Sequence, residues 1–300
     1  MSFKNALKNL VAHFGVVWSL FMFILLFVVV ITGLSLPFLL PIRRALSDAG
    51  VFESVQKAFE VFFTDGNFQA LFDGLSNAYN LIEDLLINNK TIMSLSIWFF
   101  VAIMLFVFRF FLGLYEIPLA TVLDGQLSCN SRYGFAGKFF STLLMSIRYS
   151  FFKMLITITF DAAIFWIVYA IRSVIPFGIG QVFLILFVLF VLFPFRFSIV
   201  ACWAPAAVNG NGVLKGFVVS IKIGFKRFGS IFSSFLVSMM LIIAIGVFIT
   251  VFTLGVGLVI ILPMSACYVS YLNITVYYNK TGRRYYIDGA VFTPPIENVL

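Results

Sequence analysis

The sequence predicts an all-α fold, a polytopic transmembrane helix bundle of about six spans with basic interfacial helices and an external helical hairpin. Three observations carry this reading. First, 62% of the 300 residues are hydrophobic and 11% charged, with a mean hydropathy of +1.09. Soluble domains run nearer half apolar and a quarter charged, and no water-soluble fold hides this much apolar surface. Second, apolar runs that meet the length of about 20 residues needed to cross a bilayer occur at roughly 16–40, 92–115, 151–171, 179–203, 231–252 and 254–275. Third, the Lys and Arg residues behind the formal charge of +8 fall in short segments between these runs. That placement sets orientation in a membrane and does not mark a nucleic-acid interface.

The first run follows Lys4 and Lys8 and lacks a small-residue cleavage site, so it reads as a retained helix and not a removable signal sequence. The last two runs are separated only by Thr253-Leu254-Gly255-Val256-Gly257, where glycines permit a tight reversal; one long kinked helix is the alternative. In a six-span arrangement thirteen basic residues fall on one side: Lys4 and Lys8, the group from Arg132 to Lys153, the group from Lys215 to Arg227, and Lys280, Arg283 and Arg284. Five fall on the other: Arg43, Arg44, Lys57, Lys90 and Arg172. The richer side is expected to be cytoplasmic, which puts both termini there and the chain in a plasma membrane, on this reading a bacterial one.

Residues 1–300 read as a single membrane domain. Residues 43–91, between the first and second spans, form its one large external segment and carry seven of the twelve acidic residues. Apolar residues recur there at helical spacing, as Phe52, Val55, Phe59 and Phe62 and again from Phe68 to Leu86, with Thr64-Asp65-Gly66-Asn67 as the turn between two amphipathic helices. Such a hairpin lies on the membrane, caps the bundle or offers a docking surface to a partner protein or lipid.

Arg109, Pro118, Ala120 and Gly125 correspond at identical spacings to Arg196, Pro205, Ala207 and Gly212. Each set is followed by a basic amphipathic stretch, 135–152 or 213–232, and residues 3–18 have the same character. The repeated unit is then a basic helix, a span, a short turn and a second span; three units give six spans. Repeated units often place a site at their interface; the alternative is duplication without a central site. The prolines are expected to disrupt the span ends and let the chain turn along the membrane. The basic stretches suit an anionic inner leaflet.

The proline and small residues that end a span, followed by a Gly-containing turn and a basic Phe- and Lys-bearing helix, resemble bacterial multi-pass families. The resemblance is to the membrane domain attached to some glycerophosphodiester phosphodiesterases and to its stand-alone relatives. It covers residues 92–285 and rests on Pro118 to Lys138 and Pro205 to Arg227. No segment corresponds to the phosphodiesterase catalytic domain, so that activity is not implied. The stretch from Arg172 to Gly178 also resembles the reversal in small six-helix sulfate-permease-like proteins.

Enzymatic chemistry finds little support. There is no GxxxxGK[ST] loop, HExxH or GxSxG; the only histidine is His13; and Cys129, Cys202 and Cys267 lack metal-ligand spacing, so no cofactor or metal is expected. The candidate substrate-binding residues are Asp161, deep within the third span, with Arg109 and Arg196 toward its basic side. A charge at mid-bilayer costs at least about 2.5 kcal/mol, so Asp161 is expected to pair with one of these arginines or, protonated, to hydrogen-bond across the bundle. Both arginines can also simply reach to the headgroups. Two function classes remain, a permease-like bundle handling a small substrate or lipid, and a non-transporting scaffold, assembly factor or lipid-organising protein.

Overall fold

The computed structural model describes residues 2–88, 92–131, 133–175, 178–253, 255–287 and 289–294. Lys90, Arg132, Pro176, Phe177 and Leu254, used in the sequence argument, lie outside them. Among the described residues six helical stretches are long and apolar enough to cross a membrane: Gly15–Asp48, Leu95–Cys129, Leu143–Val174, Gly180–Lys226, Phe228–Phe252 and Leu258–Thr281.

In chain order, α1 (Ser2–Ala12) leads into α2 (Gly15–Asp48), and α3 (Val51–Asp65) packs on α4 (Phe68–Asn88). The second span is α5 (Ile92–Ala102), a π-helical turn (Ile103–Phe108) and α6 (Arg109–Leu114), and it runs on into α7 (Glu116–Cys129). Then come α8 (Phe135–Ser141), α9 (Leu143–Val174), α10 (Ile179–Val200), α11 (Trp203–Ala206), a second π-helical turn (Ala207–Asn211) and α12 (Gly212–Lys226). The last spans are α13 (Phe228–Phe252) and α14 (Leu258–Thr281), after which β1 (Tyr285–Ile287) pairs antiparallel with β2 (Ala290–Phe292). The chain forms two compact units, one of residues 1–27, 110–160 and 190–300, the other of residues 28–109 and 161–189.

In the first unit the buried residues concentrate around α14, the most buried of the spans. Basic helices α1 and α12 are amphipathic: α1 turns Ala6, Asn9 and Leu10 inward and leaves Lys4 and Lys8 out of its buried stripe. One core joins Leu10, Leu20, Leu123, Cys202, Tyr271 and Leu272; a second gathers Ile117, Tyr149, Ile199 and Trp203. The prolines act earlier than expected from the sequence. The helix is interrupted at Tyr115 and at Ala201–Cys202, and Pro118 and Pro205 each sit in the first turn of the next helix, where a missing N–H costs nothing. The matched glycines do different work. Gly125 lies within α7 against the Tyr133 ring, which leaves no room for a Cβ, whereas Gly212 has a φ of 67° and starts α12.

Between α13 and α14 the chain reverses and does not continue as one kinked helix: Gly255 adopts a φ of 90°, and the Thr253 hydroxyl accepts the Gly257 N–H at 2.8 Å. After α14, the Tyr285 hydroxyl donates to Asn279 Oδ1 at 3.0 Å and accepts from Asn5 Nδ2 at 2.7 Å, which fastens β1 to α1 and α14. Burial pushes the Tyr285 phenol above its ordinary value, against the lowering effect of its bonds to Asn5 and Asn279.

In the second unit, α2 continues through Asp48, so the helical pair α3–α4 is shorter than the 43–91 segment. Gly66, with a φ of 64°, ends α3, and the Asn67 side chain starts α4 by accepting the Gln69 and Ala70 N–H groups at 3.0 and 3.2 Å. A Cβ on Gly74 would lie 2.4 Å from that of Ala58, so the two helices meet at a contact only glycine permits. Arg172, near the end of α9, lies over the Tyr79 ring at 4.2 Å and 3.7 Å from Glu83. These side chains are about half exposed, so the ion pair contributes little. Large apolar side chains on the remaining helices of this unit, among them Trp98, Phe165, Trp166 and Phe183, are exposed. Water would penalise that surface, whereas hydrocarbon requires no polar cover.

Candidate functional site

Asp161, on α9, forms an ion pair with Arg109, at the start of α6. Of the two arginines weighed from the sequence, this is the partner found in the same unit. The side chains are 21% and 23% exposed, and the contact is a close approach of charges and not an aligned hydrogen bond, since Arg109 Nη1 has no hydrogen-bond acceptor. The π-helical turn immediately precedes Arg109; such turns recur at functional positions because they re-aim the residues beside them. Arg196, the other candidate, is half-buried on α10 and belongs to the first unit.

A second charged group, not singled out from the sequence, lies in the first unit. Glu116 opens α7, where a carboxylate suits the positive end of the helix dipole. It pairs with Lys153 of α9 and accepts the Tyr149 hydroxyl at 2.7 Å. With side chains only 18% and 20% exposed, the Glu116–Lys153 pair is mostly withdrawn from solvent. Tyr149 is buried edge-on against Trp203, 4.9 Å between ring centres, which holds its hydroxyl on the carboxylate. Along the sequence the two pairs are antiparallel: position rises from 109 to 116 on one partner and falls from 161 to 153 on the other.

A third polar group secures the end of α14. Asp124 accepts the Tyr278 hydroxyl at 2.5 Å and Asn209 Nδ2 at 3.0 Å, and Arg283 donates to Asn209 Oδ1. Asn209 sits in the second π-helical turn, where the backbone leaves helical geometry and Gly210 takes a φ of 91°. Deeper in the same core, Tyr271 donates to Gln126 Oε1 at 2.8 Å. Among the described residues no group of three or more His, Cys, Asp or Glu side chains is placed to hold a metal ion.

Six apolar helices among the described residues, with Arg109 paired to Asp161 and Glu116 to Lys153, define the chain as a multi-pass α-helical membrane protein. No protein-family model, curated protein or solved structure matches it.

Proposed function

We propose that the chain is a permease-like bundle that handles a small substrate or lipid in a bacterial plasma membrane, with both termini cytoplasmic. The observation that carries this reading is the Arg109–Asp161 pair. Charges within spans are costly and typically mark a substrate or ion pathway, and a purely structural bundle has no need of them. Arg196, matched to Arg109 in the internal repeat, is proposed as a further substrate-binding residue, in the first unit, and the resemblance to a phosphodiesterase-associated membrane domain agrees with the reading.

The test is Asp161→Asn, introduced into a strain lacking the native gene. The variant is expected to insert and to melt within a few degrees of wild type while losing the phenotype that wild type restores. Full complementation by both Asp161→Asn and Asp161→Leu would leave the scaffold reading in its place. One observation favours that second reading: Phe52, Phe63 and Phe68 are exposed on the α3–α4 hairpin, as a surface for a partner protein would be.

The proposed orientation has its own check. Cys129 is exposed, whereas Cys202 and Cys267 are buried. A membrane-impermeant maleimide is expected to label Cys129 in inverted vesicles and not in intact cells. Cys202 and Cys267 should react only after denaturation. Labelling of Cys129 in intact cells would reverse the topology.

A further inference from the structure

A cleft of about 330 Å³ opens in the first unit where α1 meets α2, against the Val122–Gln126 stretch of α7 and the residues leading into α8. Its polar lining is His13, Ser19, Gln126 and Tyr133, beside apolar Val122 and Phe135; among the described lining residues no side chain is acidic. Gln126 is 6% exposed. Its carbonyl oxygen accepts the Tyr271 hydroxyl, which leaves the amide N–H pair as the polar group this residue can offer the cleft it lines. His13, the only histidine of the chain, is held through Nδ1 to the Asn9 carbonyl oxygen at 3.2 Å, which turns Nε2 to the ligand side. The Lys138 ammonium stands 4.1 Å from the centre of the Tyr133 ring, adding positive charge beside the opening.

The Gln126 amide, the Ser19 and Tyr133 hydroxyls, the Lys138 charge and the lack of a carboxylate among the described lining residues select an anion; the apolar wall provides for a hydrocarbon part attached to it. We propose that this cleft is a binding site for a phosphate-bearing ligand, recognised by Gln126 and His13. A phospholipid headgroup and a soluble organic phosphate share that chemistry. The site involves neither Asp161 nor Arg109, so it stands or falls separately from transport.

Native mass spectrometry of the full-length protein in detergent tests it. The probes are dioleoyl phosphatidic acid, diolein (the same acyl chains without phosphate) and inorganic phosphate as competitor. One phosphatidic acid per protein is expected to be retained, with diolein lost. Gln126→Glu keeps an acceptor for Tyr271 but sets a carboxylate against the ligand, and should weaken phosphatidic acid binding about tenfold or more; His13→Leu should weaken it severalfold. Because Gln126 is buried, both variants are first compared with wild type by melting temperature, and the partly exposed His13 position carries the result if Gln126→Glu does not fold. Displacement by millimolar inorganic phosphate supports a site open to soluble phosphates, and failure to displace supports a lipid site. Retention of diolein equal to that of phosphatidic acid, or unchanged affinity in a folded His13→Leu protein, would overturn the proposal.

Discussion

Lys153→Leu is expected to destabilise the first unit strongly, toward the lower part of the range of about 3–5 kcal/mol seen when one partner of a buried ion pair is removed. The Glu116 carboxylate would remain at the start of α7 with only the Tyr149 hydroxyl and the helix dipole to offset its burial. The informative comparison is the double variant Glu116→Gln with Lys153→Leu. Gln retains an acceptor for the Tyr149 hydroxyl and carries no charge, so most of the lost stability should return, because a buried pair replaced as a pair is often neutral. Reversible unfolding in mixed micelles measures both. Wild-type stability in Lys153→Leu alone would show that the pair is solvated and contributes nothing.

Trp203→Ala is expected to cost about 3–5 kcal/mol, the range for emptying a buried Trp or Phe site. Trp203 is fully buried where α11 begins and lies against Tyr149 and against Phe217 of α12, with ring centres 4.9 and 4.6 Å away. Its indole N–H donates to the Val213 carbonyl oxygen at 2.8 Å, near the start of α12. Removing it therefore empties a cavity and releases that end of the helix. Trp203→Phe fills most of the space and loses the hydrogen bond, a smaller expected loss of about 1 kcal/mol. Melting temperature ranks the two variants, and limited proteolysis within α12 reports its release. Equal stability of Trp203→Ala and wild type would remove Trp203 from the core that joins α11 to α12.

The spans were legible because bilayer insertion is decided locally, by the length and composition of each run. The helical spacing of residues 51–88 and the break at Gly66–Asn67 were legible for the same reason, since amphipathic periodicity and turn chemistry act over a few residues. One local signal passed unused: Gly289, between Tyr285–Ile287 and Ala290–Phe292, takes a φ of 80°, and β1 and β2 pair antiparallel on either side of it. Glu116 was overlooked for a different reason. It stands near the end of a span, where a carboxylate raises no alarm by composition. Its importance comes from Lys153 and Tyr149, 37 and 33 residues away.

By itself, then, the sequence determined the solvent of this protein, the number of its spans, the basic helices that precede them and the one carboxylate deep within a span. Each follows from hydrophobicity and charge read over about 20 residues. Tertiary structure alone decided which charge meets which. Arg109 faces Asp161, Lys153 and Tyr149 converge on Glu116, and Asp124 holds Tyr278 and Asn209. These contacts depend on the register and rotation of packed helices, which hydrophobic pattern leaves nearly free. They are settled by steric fits such as Gly113, where a Cβ would lie 2.9 Å from the Ser150 Cα.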